Sequence, residues 1–128
     1  MAERRDKASA DHPFAYEGLD RVIHERARLS LLTSLVAHPQ GLTFAALKQL
    51  CDLTDGNLFR HLQTLESEGI VSAAKTPGTG RPQTLVRLTA AGRRRYFDYL
   101  AVLETVIVDA ARNTQLARRK PPRASSRG

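Results

Sequence analysis

Residues 47–88 read LKQLCDLTDGNLFRHLQTLESEGIVSAAKTPGTGRPQTLVRL. This stretch parses as a helix, a tight turn, a second helix, and a two-stranded hairpin with a Gly/Pro-rich tip. The second helix has the clearest ends. Thr54 offers its hydroxyl to the free N–H groups of the first turn. Asp55 follows it, where the helix dipole favours negative charge. Gly69 comes directly after Glu68 and can take the left-handed stop conformation. Between these ends, Leu58, Leu62 and Leu65 form one narrow apolar stripe. The opposite face carries Gly56, Asn57, Arg60, Gln63, Thr64 and Ser67.

Short and hydrogen-bonding side chains with one cation suit a helix that enters the major groove. There Arg reads guanine, and Asn or Gln reads adenine. Any surface helix has a polar outer face, however, so the hairpin is what gives the pattern its meaning. Helix, turn, helix and hairpin together read as a helix-turn-helix followed by a wing. Its strands are expected at Ile70–Lys75 and Thr84–Leu88, with the tip at Thr76–Gln83.

LTDGNLFRHLQTLESEGIV and PGTGRPQTLVRLTAAGR resemble the winged-helix DNA-binding domain of MarR-like and ArsR-like bacterial and archaeal transcriptional regulators. The matching phrases are L-T-D-G-N-L-x-R-H-L-x-x-L-E-x-x-G, G-R-P-x-T and L-T-x-x-G-R, and the resemblance covers roughly residues 19 to 108. It implies a mainly α fold with a small β-hairpin (α+β), a winged helix-turn-helix with long N- and C-terminal helices forming a dimer interface. It also implies double-stranded DNA as partner and a repressor's role. Thr54, Gly56, Asn57, Arg60, His61, Gln63 and Thr64 are the expected DNA-binding residues of the second helix. Lys75, Arg81, Gln83 and Arg93 are those of the wing and backbone contacts. Arg81, in Gly80-Arg81-Pro82, suits a narrow minor groove or is simply a solvated loop arginine. His61 either donates to a phosphate or packs at the domain edge.

The chain has 128 residues and a formal net charge of +7. Arg118, Arg119, Lys120, Arg123 and Arg127 stand in residues 113–128 with no acid, so most of that charge is in the tail. A basic pI alone is therefore poor evidence for DNA. Cys51 is the one cysteine, which excludes an intrachain disulfide and a two-thiol metal site. No metal and no cofactor is expected. No run approaches the roughly 18 apolar residues of a membrane span, and the N-terminus lacks the apolar core of a secretory signal. A cytoplasmic location without membrane contact is the expectation.

In chain order, residues 1–17 are expected to be a disordered arm, 18–113 the winged-helix and dimerisation domain, and 114–128 a disordered basic tail. Leu19–His38 is expected as the first helix, stopped by Pro39 and Gly41. Leu42 and Thr43 suit a short strand beside the hairpin, and Thr43 caps a helix whose inward residues are Phe44, Leu47 and Leu50. Thr89 caps a last helix running to about Asn113. There Tyr96, Tyr99, Leu103, Val106 and Ala110 follow coiled-coil-like spacing, and with Leu29 they are the expected dimerisation residues. Phe97, Leu100, Ile107 and Val108 are then expected to face the domain's own core.

Enzymatic readings fail on inventory. There is no Gly-x-Ser-x-Gly elbow, and PGTGRPQT lacks the Lys-Ser/Thr end of a phosphate loop. Two other classes stay open: a winged-helix protein-interaction module, and a non-specific DNA binder acting through the basic tail. A small-molecule effector pocket, if present, is expected between the first and last helices.

Overall fold

A computed structural model describes residues 11–77 and 80–113. The described residues fall into two compact units: Asp20–Asp98, and a second formed by residues 11–19 together with 99–113.

Among the described residues, four helices of a turn or more and three strands are laid out as the sequence motifs dictate. Helix α1 is Arg26–Ala37, α2 is Phe44–Cys51, α3 is Asp55–Ser67 and α4 is Ala90–Asn113. Strand β1 is Leu42–Thr43, β2 is Val71–Lys75 and β3 is Thr84–Leu88. Each of α2 and α3 begins at a threonine: Thr43 accepts the N–H of Ala46, and Thr54 that of Asn57. Asp52, at φ 54°, makes the left-handed turn between them. Strands β2 and β3 pair antiparallel from Val71↔Leu88 to Lys75↔Thr84. Strand β1 adds to the other edge of β3 through Leu42↔Val86 and Thr43↔Leu85, giving the order β1-β3-β2.

The core of the first unit is built from Ile23, Leu31, Leu32 and Leu35, with Leu47, Leu58, Leu65, Ile70, Val71 and Val86. Each such side chain contributes about 1.5–3 kcal/mol when removed from water. The stripe Leu58–Leu62–Leu65 thus holds α3 by one side, with Leu62 half-buried at its edge. Its opposite side is left to solvent.

Thr89 caps α4 and fastens it to the start of the hairpin. Thr89 donates its hydroxyl to the Gly69 carbonyl at 2.7 Å and accepts the N–H of Gly92 at 2.8 Å. Gly92 then passes so close that a Cβ there would stand 2.0 Å from the Ile70 carbonyl oxygen. Glycine in L-T-x-x-G-R is therefore a packing requirement.

Four expectations need correction. The first helix begins at Arg26, not Leu19. The Asp20 carboxylate accepts the N–H groups of Val22 and Ile23, and Glu25 adopts extended geometry to accept that of Arg28, so two local caps divide the segment. Residues 11–17, expected to be disordered, are placed in the second unit. There the Tyr16 hydroxyl donates to Asp109 at 2.6 Å, which pushes its pKa up to about 12, and Gly18 lies against Val102. Leu50, expected inside, is 57% exposed. An eight-residue helix buries only one narrow line of side chains, and Leu47 occupies it.

The fourth correction concerns α4. Tyr96 and Tyr99 are buried within the single chain, and Tyr96 shares a hydrogen bond with Thr33 at 2.7 Å. Phe97, Ile107 and Val108 are the exposed residues instead. Leu29, Leu103 and Val106 are half-buried, and Ala110 is exposed. A helix apolar around much of its circumference does not reveal by spacing alone which stripe faces its own core. The expected arm 1–10 and tail 114–128 lie outside the described residues.

Candidate nucleic-acid interface

Helix α3 is held in place by its termini as well as by its leucines. Asp55 forms an ion pair with Lys48 of α2 at 2.9 Å. At the other end Glu68 and Gly69 return their N–H groups to the carbonyls of Thr64 and Glu66, and Gly69 takes φ 73°. On the outward face, the Arg60 guanidinium donates through Nη2 to the Asn57 side-chain oxygen. Both residues are exposed, one helical turn apart. Thr64 donates its hydroxyl to the Arg60 carbonyl at 3.3 Å, and Ser67 donates to that of Thr64 at 2.9 Å. Gly56 and Gln63 are exposed beside them. Of the expected reading residues, Gly56, Asn57, Arg60, Gln63 and Thr64 therefore share one surface, and Thr54 is spent as the cap.

His61 does not belong to that surface. Its Nδ1 lies 3.1 Å from Arg28 Nη1 and 3.9 Å from the Glu25 carboxylate. Arg28 in turn donates to the Val22 carbonyl at 2.6 Å. Burial lowers the His61 pKa; Glu25 opposes this, and the positive charges of Arg28 and Arg60 add to it. The histidine docks α3 on the approach to α1, so its expected phosphate contact is withdrawn.

The wing base is closed by the Thr76 N–H donating to the Gln83 carbonyl at 2.7 Å, and by the Gln83 N–H donating to the Thr76 hydroxyl at 3.3 Å. Lys75, Arg81 and the Gln83 side chain are exposed, and Gly80, at φ 81°, turns the chain just before Arg81. Gly78 and Thr79 of the expected tip lie outside the described residues.

The three consecutive arginines of α4 divide by partner. Arg93 is exposed and stacks its guanidinium 5.3 Å above the Phe97 ring. Arg95 is tied to the Asp20 carboxylate and to Glu68 at 3.1 Å, which raises its pKa and lowers that of Asp20. It links the end of α3 to the entry of α1 and is not offered to a ligand. Arg94 is exposed.

Sequence reasoning missed Phe59. It is 58% exposed on α3, between Leu58 of the buried stripe and Arg60 of the outward face. Its identity as a large aromatic at a helix position outside the leucine stripe was the available signal.

Comparison with known proteins now decides the family. A model described as a winged helix DNA-binding domain matches residues 27–107. The chain belongs to the winged helix DNA-binding domain family. The matched family is a DNA-binding one, and its fold recurs in solved transcriptional regulators. An uncharacterized Methanocaldococcus jannaschii protein is 40% identical over 57 residues, 44% of this chain and 62% of that protein. YdgJ of Bacillus subtilis, an uncharacterized HTH-type transcriptional regulator, is 40% identical over 70 residues, 55% of this chain and 42% of that protein. The winged helix thus spans less than two thirds of either curated relative. A transcriptional regulator homologue from Pyrococcus horikoshii OT3 superimposes with a TM-score of 0.63 at 26% identity, covering 84% of this chain and 95% of that one. S. aureus MepR in its DNA complex has the same fold, with a TM-score of 0.60 at 20% identity over 83% of this chain and 82% of that one.

In the second unit, an open cleft is lined by Phe14, Tyr16, Val102, Thr105, Asp109 and Asn113. Among the described residues no group of three or more His, Cys, Asp or Glu could hold a metal ion, and no helix is long and apolar enough to cross a membrane.

Proposed function

We propose that this chain is a homodimeric, sequence-specific double-stranded DNA-binding repressor. One observation carries the reading: Asn57 and Arg60 stand hydrogen-bonded and solvent-facing on a helix whose other side is locked into the core. Arg and Asn present the donors and acceptors that distinguish bases in the major groove. The wing, through Lys75, Arg81 and Gln83, follows the flanking backbone, and Arg93 adds a phosphate contact. The DNA complex of MepR, a protein of the same fold, supports DNA as the partner.

A two-fold dimer reads a roughly palindromic site with half-sites about one helical turn apart. The exposed Ile107 and Val108 of α4 supply the apolar surface for that dimer. A small-molecule effector would occupy the cleft beside Tyr16 and Asp109. The test is enrichment of duplexes from a randomised pool by the full-length protein, followed by binding to enriched and scrambled duplexes at several salt concentrations. A sequence preference that persists at moderate salt is expected. Equal affinity for both duplexes, lost on deleting residues 114–128, would replace the reading with tail-driven non-specific binding.

A further inference from the structure

We infer that Phe59 reads a thymine by its C5-methyl group, beside the hydrogen-bonding contacts of Asn57 and Arg60; this rests on the DNA reading proposed above. The ring is 58% exposed and lies about a quarter-turn from the buried leucine stripe, on the flank of the outward face. Its neighbours leave a way to it. Gly56, one turn earlier, has no side chain, and a Cβ there would meet nothing within 4 Å. Two acids share this flank: Asp55 is paired with Lys48, which moderates its repulsion of phosphates, and Glu66 stands exposed two turns after Phe59. Gln63, one turn later, is exposed and polar.

A phenyl ring has no hydrogen bond to give. The edges of paired bases in the major groove present donors and acceptors, and the one apolar group that projects from them is the thymine methyl. A paired, stacked base offers no face to the ring. Of the groups on the groove floor, the methyl is therefore the one a side chain at position 59 complements when α3 enters the groove. Arg60 and Asn57 fix purines by hydrogen bonds, and Phe59 adds a thymine on the adjoining side.

The experiment uses the full-length protein and a duplex it enriches from a randomised pool. Thymines are replaced one at a time by uracil, which keeps every hydrogen-bonding edge and removes only the methyl. The unmutated protein should lose about three- to tenfold in affinity at one position per half-site, the scale of one buried methyl. Phe59→Ala should bind the thymine and uracil duplexes equally, while keeping the discrimination that depends on Arg60. Phe59→Leu should retain part of the methyl effect, which separates loss of the contact from loss of the fold. An enriched duplex indifferent to every uracil replacement overturns this inference and leaves the DNA reading standing. So does a Phe59→Ala protein that still prefers thymine. Failure to enrich any sequence overturns the DNA reading and this inference with it.

Discussion

Arg60 and Arg93 are both exposed cations, yet their surroundings assign them different work. Arg60 is oriented by Asn57 on the outward face of α3, whereas Arg93 lies over Phe97 at the start of α4. Losing a base contact costs roughly 1–3 kcal/mol on the preferred sequence alone. Losing a phosphate contact weakens every sequence and flattens the salt dependence by about one charge. Arg60→Ala is therefore expected to erode discrimination between enriched and scrambled duplexes, and Arg93→Ala to lower both affinities together. Binding titrations over a salt series check both; an Arg60→Ala protein weakened equally on both duplexes would make Arg60 a backbone contact. His61 yields a prediction of another kind. Its folded pKa is depressed, so the unfolded chain binds the proton more readily. Its contribution to stability is full above its unfolded pKa of about 6.5 and declines as pH falls through that value. Urea midpoints should drop on acidification in that window, and His61→Asn should flatten the drop.

At the scale of the element, the join between β2 and α4 is the most exacting contact in the first unit. Alanine in a helix is ordinarily favoured over glycine by about 1 kcal/mol. At Gly92 the clash decides the sign, because the atom 2.0 Å from an added Cβ is a backbone oxygen with no flexible end to yield. Gly92→Ala is expected to destabilise by at least about 2 kcal/mol in urea unfolding; a stabilised variant would mean α4 can shift away from Ile70 freely. Arg95 joins three elements through Asp20 and Glu68. The Asp20 pKa is lowered, so its contribution is present above its unfolded pKa near 3.9 and fades as pH falls below it. Asp20→Asn should lower stability at neutral pH by about 1–3 kcal/mol and leave a shallower loss in acid, read from the pH dependence of thermal unfolding. The extent of α1 was not legible because one of the two caps that divide the segment, Asp20, is also held by an arginine 75 residues away.

For the whole molecule, the exposed stripe of α4 sets the assembly prediction. Light scattering should return about twice the chain mass of 14.2 kDa at micromolar concentration. Ile107→Glu should shift that value toward the monomer, since a charge buried without a partner is costly. Tyr96→Glu should instead unfold the first unit, because Tyr96 is 4% exposed and bonded to Thr33. An Ile107→Glu protein that keeps the mass of the parent would move the interface elsewhere. Deleting residues 114–128 removes Arg118, Arg119, Lys120, Arg123 and Arg127 and should weaken all DNA binding while sparing sequence preference.

The sequence by itself determined the helix-turn-helix and its hairpin. Thr43, Thr54 and Thr89 cap helices through contacts a few residues away, Gly69 stops one, and alternating and helical periodicities mark what each element buries. Such signals are local, so they survive without knowledge of the rest of the chain. The outward face of α3 was legible for the same reason, as the complement of its leucine stripe. Tertiary structure alone decided which cations are free. The sequence favours Arg93 by its place in L-T-x-x-G-R, and only the arrival of Asp20 and Glu68 shows that Arg95 is engaged within the chain. It likewise turned His61 toward Arg28, buried Tyr96 and Tyr99, and left Phe59 and Ile107 outside. Those outcomes depend on groups far apart in the chain meeting in space, and residue spacing carries no record of them.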